Sequence, residues 1–113
     1  MSYDRQVIAY KNYFLDFYEK QPENVQTKIE WTLNLIQVTQ YIPEKYFKHL
    51  EGTNGLYEIR VEVGRNIYRI FSFFDKGNLV VLGNAFHKKS QKTPKQELEK
   101  ALKIMEEYQN ENK

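Results

Sequence analysis

The succession of segments predicts an α+β domain: a short strand and a helical hairpin, then a β-hairpin with one further strand, then a closing helix. Three observations carry that reading. Apolar residues recur at helical spacing from Val25 to Ile36, apolar and charged residues alternate from Tyr57 to Val63, and Thr93-Pro94-Lys95-Gln96 has the composition of a helix start. The 113 residues suffice for one domain, residues 1–113, and are too few for two separate cores.

Gln6 to Tyr10, β-branched and aromatic, reads as the first strand. A short helix fits Tyr13 to Glu19, where Phe14, Phe17 and Tyr18 share a face. Pro22 suits a first helical turn, and Val25, Ile29, Thr32, Leu33 and Ile36 form the apolar stripe of a helix reaching about Gln40. Ile42-Pro43 ends it. Tyr46, Phe47 and Leu50 belong to a connection that closes at the turn Gly52-Thr53-Asn54-Gly55.

Tyr57, Ile59, Val61 and Val63 alternate with Glu58, Arg60 and Glu62, the period of a strand with one buried and one wet face. Gly64-Arg65 supplies a two-residue turn with glycine at its first central position, and the returning strand runs from Asn66 to Phe74. That turn sets a register. Val63 pairs with Asn66, Val61 with Tyr68, Arg60 with Arg69, Ile59 with Ile70 and Glu58 with Phe71, so two arginines meet on the face opposite the aliphatic pairs. After the turn Asp75-Lys76-Gly77-Asn78, the apolar run Leu79 to Phe86 reads as a central strand and His87 to Lys92 as its polar exit. Thr93 to Gln96 then fits a capping box with proline at the first helical position, and Leu98, Ala101, Leu102, Met105 and Tyr108 give the last helix its stripe.

Composition excludes several classes. A chain with 41% hydrophobic and 15% aromatic residues can bury enough apolar surface to stay folded. No apolar run approaches the roughly 20 residues of a membrane helix, and Asp4 and Arg5 interrupt any signal-peptide-like start, so the reading is a cytoplasmic protein without a membrane partner. Absence of cysteine removes disulfides, iron–sulfur clusters and thiol nucleophiles, while His49 and His87 match no metal-ligand spacing. Neither a metal nor another cofactor is expected. Walker, nucleophile-elbow, zincin and dinucleotide motifs are also missing.

The net charge of +2 is unevenly spread. Residues 1–57 hold six basic and seven acidic groups, whereas residues 58–92 hold seven basic against three acidic, which suits a polyanion. Arg60 and Arg69, directly opposed, repel and invite an anion, unless Glu58 and Glu62 on the same face already neutralise them. Phe71 and Phe73 share that face and would stack on unpaired RNA bases, unless the C-terminal helix covers them. Lys88, Lys89 and Lys92 follow the central strand just before a helix start, and His87 beside them is either an acid–base or RNA-contacting group or a plain surface residue. A wet-face Arg69 would be removable at little cost in stability.

Gly55-Leu56-Tyr57-Glu58-Ile59-Arg60, Tyr68-Arg69-Ile70-Phe71 and Phe86-His87-Lys88-Lys89-Ser90-Gln91-Lys92-Thr93-Pro94, in this order and spacing, resemble the RelE/HigB superfamily of type II toxins, in particular its phage-derived HigB-like branch. The resemblance covers nearly the whole chain. It implies an α+β fold with two N-terminal helices packed on a twisted, mainly antiparallel sheet and a C-terminal helix. It also implies a metal-independent endonuclease that cuts mRNA on the ribosome by attack of a 2′-hydroxyl on the adjacent phosphate, held in check by a cognate antitoxin of helix-turn-helix type. By position, Arg69 corresponds to the phosphate-stabilising arginine and Lys89, with Lys88, to the basic site at the end of the last strand. Arg60, Phe71, His87 and Lys92 then fall to RNA binding, while Glu58 departs from relatives that carry a basic residue there. The antitoxin would either lay an acidic or apolar segment over the basic site or, the reading favoured, dock on exposed parts of the first two helices, with Tyr13 and Trp31 where they face solvent, and block entry into the ribosome by bulk. Two other readings stand beside this one: a ParE-like inhibitor of DNA gyrase without nuclease chemistry, and a phage-derived binding module that has kept only the fold.

Overall fold

The computed structural model describes residues 3–113. In chain order the elements are β1 (Gln6–Ala9), α1 (Tyr13–Glu19), α2 (Glu23–Val38), β2 (Phe47–His49), β3 (Leu56–Val63), β4 (Asn66–Asp75), β5 (Leu79–Lys88) and α3 (Lys95–Glu111). They build the expected α+β architecture. One five-stranded sheet has the order β1-β5-β4-β3-β2, antiparallel throughout except for the parallel pair β1–β5. The hairpin β3–β4 has the register its turn dictates, including Arg60 opposite Arg69 and Glu58 opposite Phe71. Gly64, at φ +60°, supplies the left-handed residue that opens this turn.

Each sheet face has its own core. On one face Ile59, Val61, Tyr68 and Ile70 meet Phe14 of α1 and Val25, Ile29 and Ile36 of α2. The opposite face packs Leu56, Phe71, Phe73 and Phe86 beneath Ala101, Ile104, Met105 and Tyr108 of α3. The face expected to be wet is therefore covered along most of its length. Glu58 retains only 2% of its surface, Arg69 6% and Phe71 none. Alternation correctly separates the two faces but does not say that a helix arriving from the far end of the sequence will cover the second.

Local departures have identifiable causes. β2 forms within the segment read as a connection, because Phe47 and Lys48 pair with Ile59 and Glu58 on the neighbouring strand. β5 extends to Lys88, since His87 and Lys88 still pair with Tyr68 and Ile67. No capping box forms at α3: its N-cap is Pro94, without a side-chain cap, and Thr93 turns elsewhere. At the C-terminus of α2, buried Arg5 donates from Nη1 to the carbonyls of Ile36 at 2.6 Å and Thr39 at 2.9 Å, and from Nη2 to that of Gln40 at 3.3 Å. A cation on those carbonyls opposes the negative end of the helix dipole. Among the described residues, no helix is long and apolar enough to cross a membrane.

Candidate active site

Pairing across β3, β4 and β5 sets Arg60, Arg69 and Lys88 on the α3 side of the sheet, at the margin of the helix's cover, where Arg69 is still buried and Arg60 and Lys88 are partly exposed. Glu58, buried two residues before Arg60 on β3, lies between the arginines. Its Oε1 is 3.5 Å from Arg60 Nη2 and 3.7 Å from Arg69 Nε, and its Oε2 accepts a 2.8 Å hydrogen bond from the Thr93 hydroxyl. The two arginine contacts are ion pairs too long to be good hydrogen bonds. Arg69 donates once, from Nη1 to the neighbouring Tyr68 carbonyl at 3.2 Å, and the Nε atoms of both arginines are buried without a hydrogen-bond partner. Charged donors are thus held in place and left largely unused.

The electrostatics follow from this crowding. Burial lowers the pKa of Arg69, against the attraction of Glu58 and with the repulsion of Arg60. The Lys88 ammonium is pushed below its ordinary value, first by burial and then by Arg69 and Arg60, with Glu58 partly offsetting them. Three cations face Glu58 and the exposed Glu62, so positive charge is in excess. Such a cluster can hold a phosphate between guanidinium groups while a lysine with a lowered pKa exchanges a proton beside it.

The other candidates are not all gathered here. Lys89 and Lys92 are exposed on the segment between β5 and α3, and among the described residues neither bonds to Arg60 or Arg69. His87 lies on the other face, its ring stacked on Tyr68 at 4.7 Å, so the sheet separates it from the arginines. It does line an open cleft of about 700 Å³ with Arg65, Lys88 and Lys89 at the sheet end. Phe71, proposed above as a stacking surface, stacks instead on Phe86 at 5.7 Å under α3 and presents nothing to RNA. Two members escaped the sequence reading. The sequence alone makes Glu58 a solvated neutraliser and Thr93 a helix cap; their hydrogen bond joins residues 35 apart, and no local signal foretells it.

Residues 16–106 match the family described as phage derived protein Gp49-like. Among solved structures, the chain is similar to a protein of the archaeal RelE–RelB complex from Pyrococcus horikoshii OT3, with 19% identity and a TM-score of 0.55 over 77% of this chain and 96% of that one. No curated protein matches it. The sheet order and the helices on both its faces give the chain a RelE-like fold. The chain belongs to the Gp49-like, phage-derived family, and its three motifs resemble the RelE/HigB superfamily.

Proposed function

We propose that the protein is the toxin of a type II toxin–antitoxin pair and acts in the cytoplasm as a ribosome-dependent mRNA endonuclease. The observation that carries this reading is the placement of Arg60, Arg69 and Lys88 on one partly open face, with unused donors and excess positive charge. In the reaction a nucleotide's 2′-oxygen attacks the adjacent phosphorus and the bond to the 5′-oxygen breaks. A 2′,3′-cyclic phosphate and a 5′-hydroxyl result. Arg69 and Arg60 stabilise the charge that develops on the phosphorane oxygens. Lys88, with its lowered pKa, is the group placed to move a proton to or from the reacting oxygens. His87, Lys89 and Lys92, exposed around the cleft, contact flanking RNA. Glu58 positions the arginines from within. The reaction as proposed needs no metal.

Membership of the Gp49-like family and the RelE fold support a toxin, and the solved neighbour's RelE–RelB pairing supports an antitoxin partner, proposed as a helix-turn-helix protein. Induction in cells followed by 5′-end mapping of transcripts, with and without active translation, tests the reading. Cuts that appear only on translated messages are expected; gyrase-linked DNA breaks in their place would overturn it.

A further inference from the structure

A second surface adjoins the arginines and is not used by the reaction just described. Around the β2–β3 edge of the sheet, Arg60 lines a hollow of about 240 Å³ with Lys28, Lys45 and Tyr46. A shallow groove of about 380 Å³, which holds Trp31, Thr27 and Val63, continues it, since Lys28 and Glu62 line both. Together they form one trough from Arg60 to α2. Trp31 is 45% exposed, its ring meets that of Tyr46 edge-on at 5.6 Å, and the Lys28 ammonium stands 4.1 Å from its centroid. Lys45 stands 5.6 Å from the centroid of Tyr46. The backbone N–H of Arg60 donates to the Tyr46 carbonyl at 2.8 Å, which ties the trough to the site.

We infer that this trough binds the single-stranded RNA substrate beyond the cut, its phosphates on Lys45 and Lys28 and a base against Trp31. The inference rests on the nuclease reading and extends it by a subsite. Lys28, Lys45 and Arg60, the last paired with Glu58, outnumber the single carboxylate lining the trough, Glu62, and favour a polyanion over a neutral partner. The alternation of cations and rings favours RNA over an apolar helix. A docking helix would have to desolvate an ammonium lying on each ring, whereas a strand brings a phosphate for the ammonium and a base for the ring. Trp31 is therefore not the bare apolar anchor for an antitoxin that the sequence suggested. Continuity decides the direction: a strand held at Arg69 and Arg60 already lies at the mouth of the trough.

Trp31, the single tryptophan, makes its fluorescence a reporter on the trough. The probes are a trinucleotide spanning the cut and a longer single strand, both with the attacking 2′-hydroxyl replaced by hydrogen. Binding is followed by Trp31 quenching and by anisotropy of labelled RNA across a salt series, for the wild type and for a variant combining Lys28→Gln and Lys45→Gln. The longer strand is expected to bind the wild type about tenfold more tightly than the trinucleotide and alone to quench Trp31. The double variant should lose that advantage, lower the salt slope by about 1.4 for two lost phosphate contacts, and bind the trinucleotide unchanged. A length advantage that survives in the double variant, with binding of poly-glutamate lost instead, would assign the trough to an acidic peptide and overturn the inference. Trinucleotide binding without any length advantage would overturn the subsite alone. Failure of the wild type to bind either strand would overturn the subsite, while the nuclease reading stands or falls separately on whether transcripts are cut during translation.

Discussion

Two buried arginines sit at opposite ends of the chain's logic. Arg5 and Arg69 are almost equally hidden, at 7% and 6% of their surface. Arg5 directs three hydrogen bonds from its two Nη atoms onto the carbonyls that end α2, although its Nε is buried without one. Arg69 makes one, faces Arg60 across the strand pair and has its carboxylate neighbour at 3.7 Å. A structural cation is surrounded by acceptors that need it. A cation kept for a ligand is held by geometry while most of its donor set stays free, and the like charge beside it is the price of that arrangement until an anion arrives.

The sharpest way to break this contrast is a pair of substitutions read by two measurements. Arg69→Lys keeps a charge but loses the planar fork, and should lower cleavage per folded molecule by about 100- to 1,000-fold, or about 3–4 kcal/mol of transition-state stabilisation. Arg5→Ala should cost about 3 kcal/mol in urea unfolding, through three orphaned carbonyls, and leave cleavage per folded molecule unchanged. Arg69→Ala is the poorer test, because burial makes it costly to the fold as well: it would leave Glu58 in the interior with less positive charge around it. Equal losses of activity in the Arg69→Lys and Arg5→Ala proteins would erase the distinction.

Thr93 offers a smaller and finer probe. Thr93→Val removes the hydroxyl that holds Glu58 Oε2 and should destabilise the fold by about 1 kcal/mol. Cleavage should fall about tenfold through kcat, with KM nearly unchanged, because a freed Glu58 no longer fixes the guanidinium groups. Thr93→Ser should restore both. A valine protein with wild-type kcat would show that Glu58 needs no such anchor.

The smallest effect is electrostatic. A lysine whose folded pKa lies below its unfolded value holds fewer protons folded than unfolded between the two, so stability rises with pH across that window. Lys88 is such a group, and its penalty is fully present at neutral pH. Lys88→Gln should therefore stabilise the neutral protein by under about 1 kcal/mol. The gap between the two urea midpoints should narrow as pH rises towards the ordinary lysine value of 10.5. A gap that widens over that range would reverse the sign assigned to the cluster.

How much of this was visible in the chain depends on the range of the cause. The β3–β4 register was readable to the residue, since Gly64-Arg65 leaves two residues for the turn and the alternation either side admits one pairing. The opposition of Arg60 and Arg69 follows from that local chemistry, as do the three helices from their spacing. Tertiary structure decided which charged residues lose their water. Glu58 and Arg69 look wet in the sequence because they alternate with Ile59 and Ile70, and they are buried because α3, whose stripe begins some forty residues after Glu58, lies down on their face. It also sent Thr93 to Glu58, Arg5 to the end of α2 and His87 to the far side of the sheet. Periodicity assigns a residue to a face, while its hydration depends on what another part of the chain places over that face.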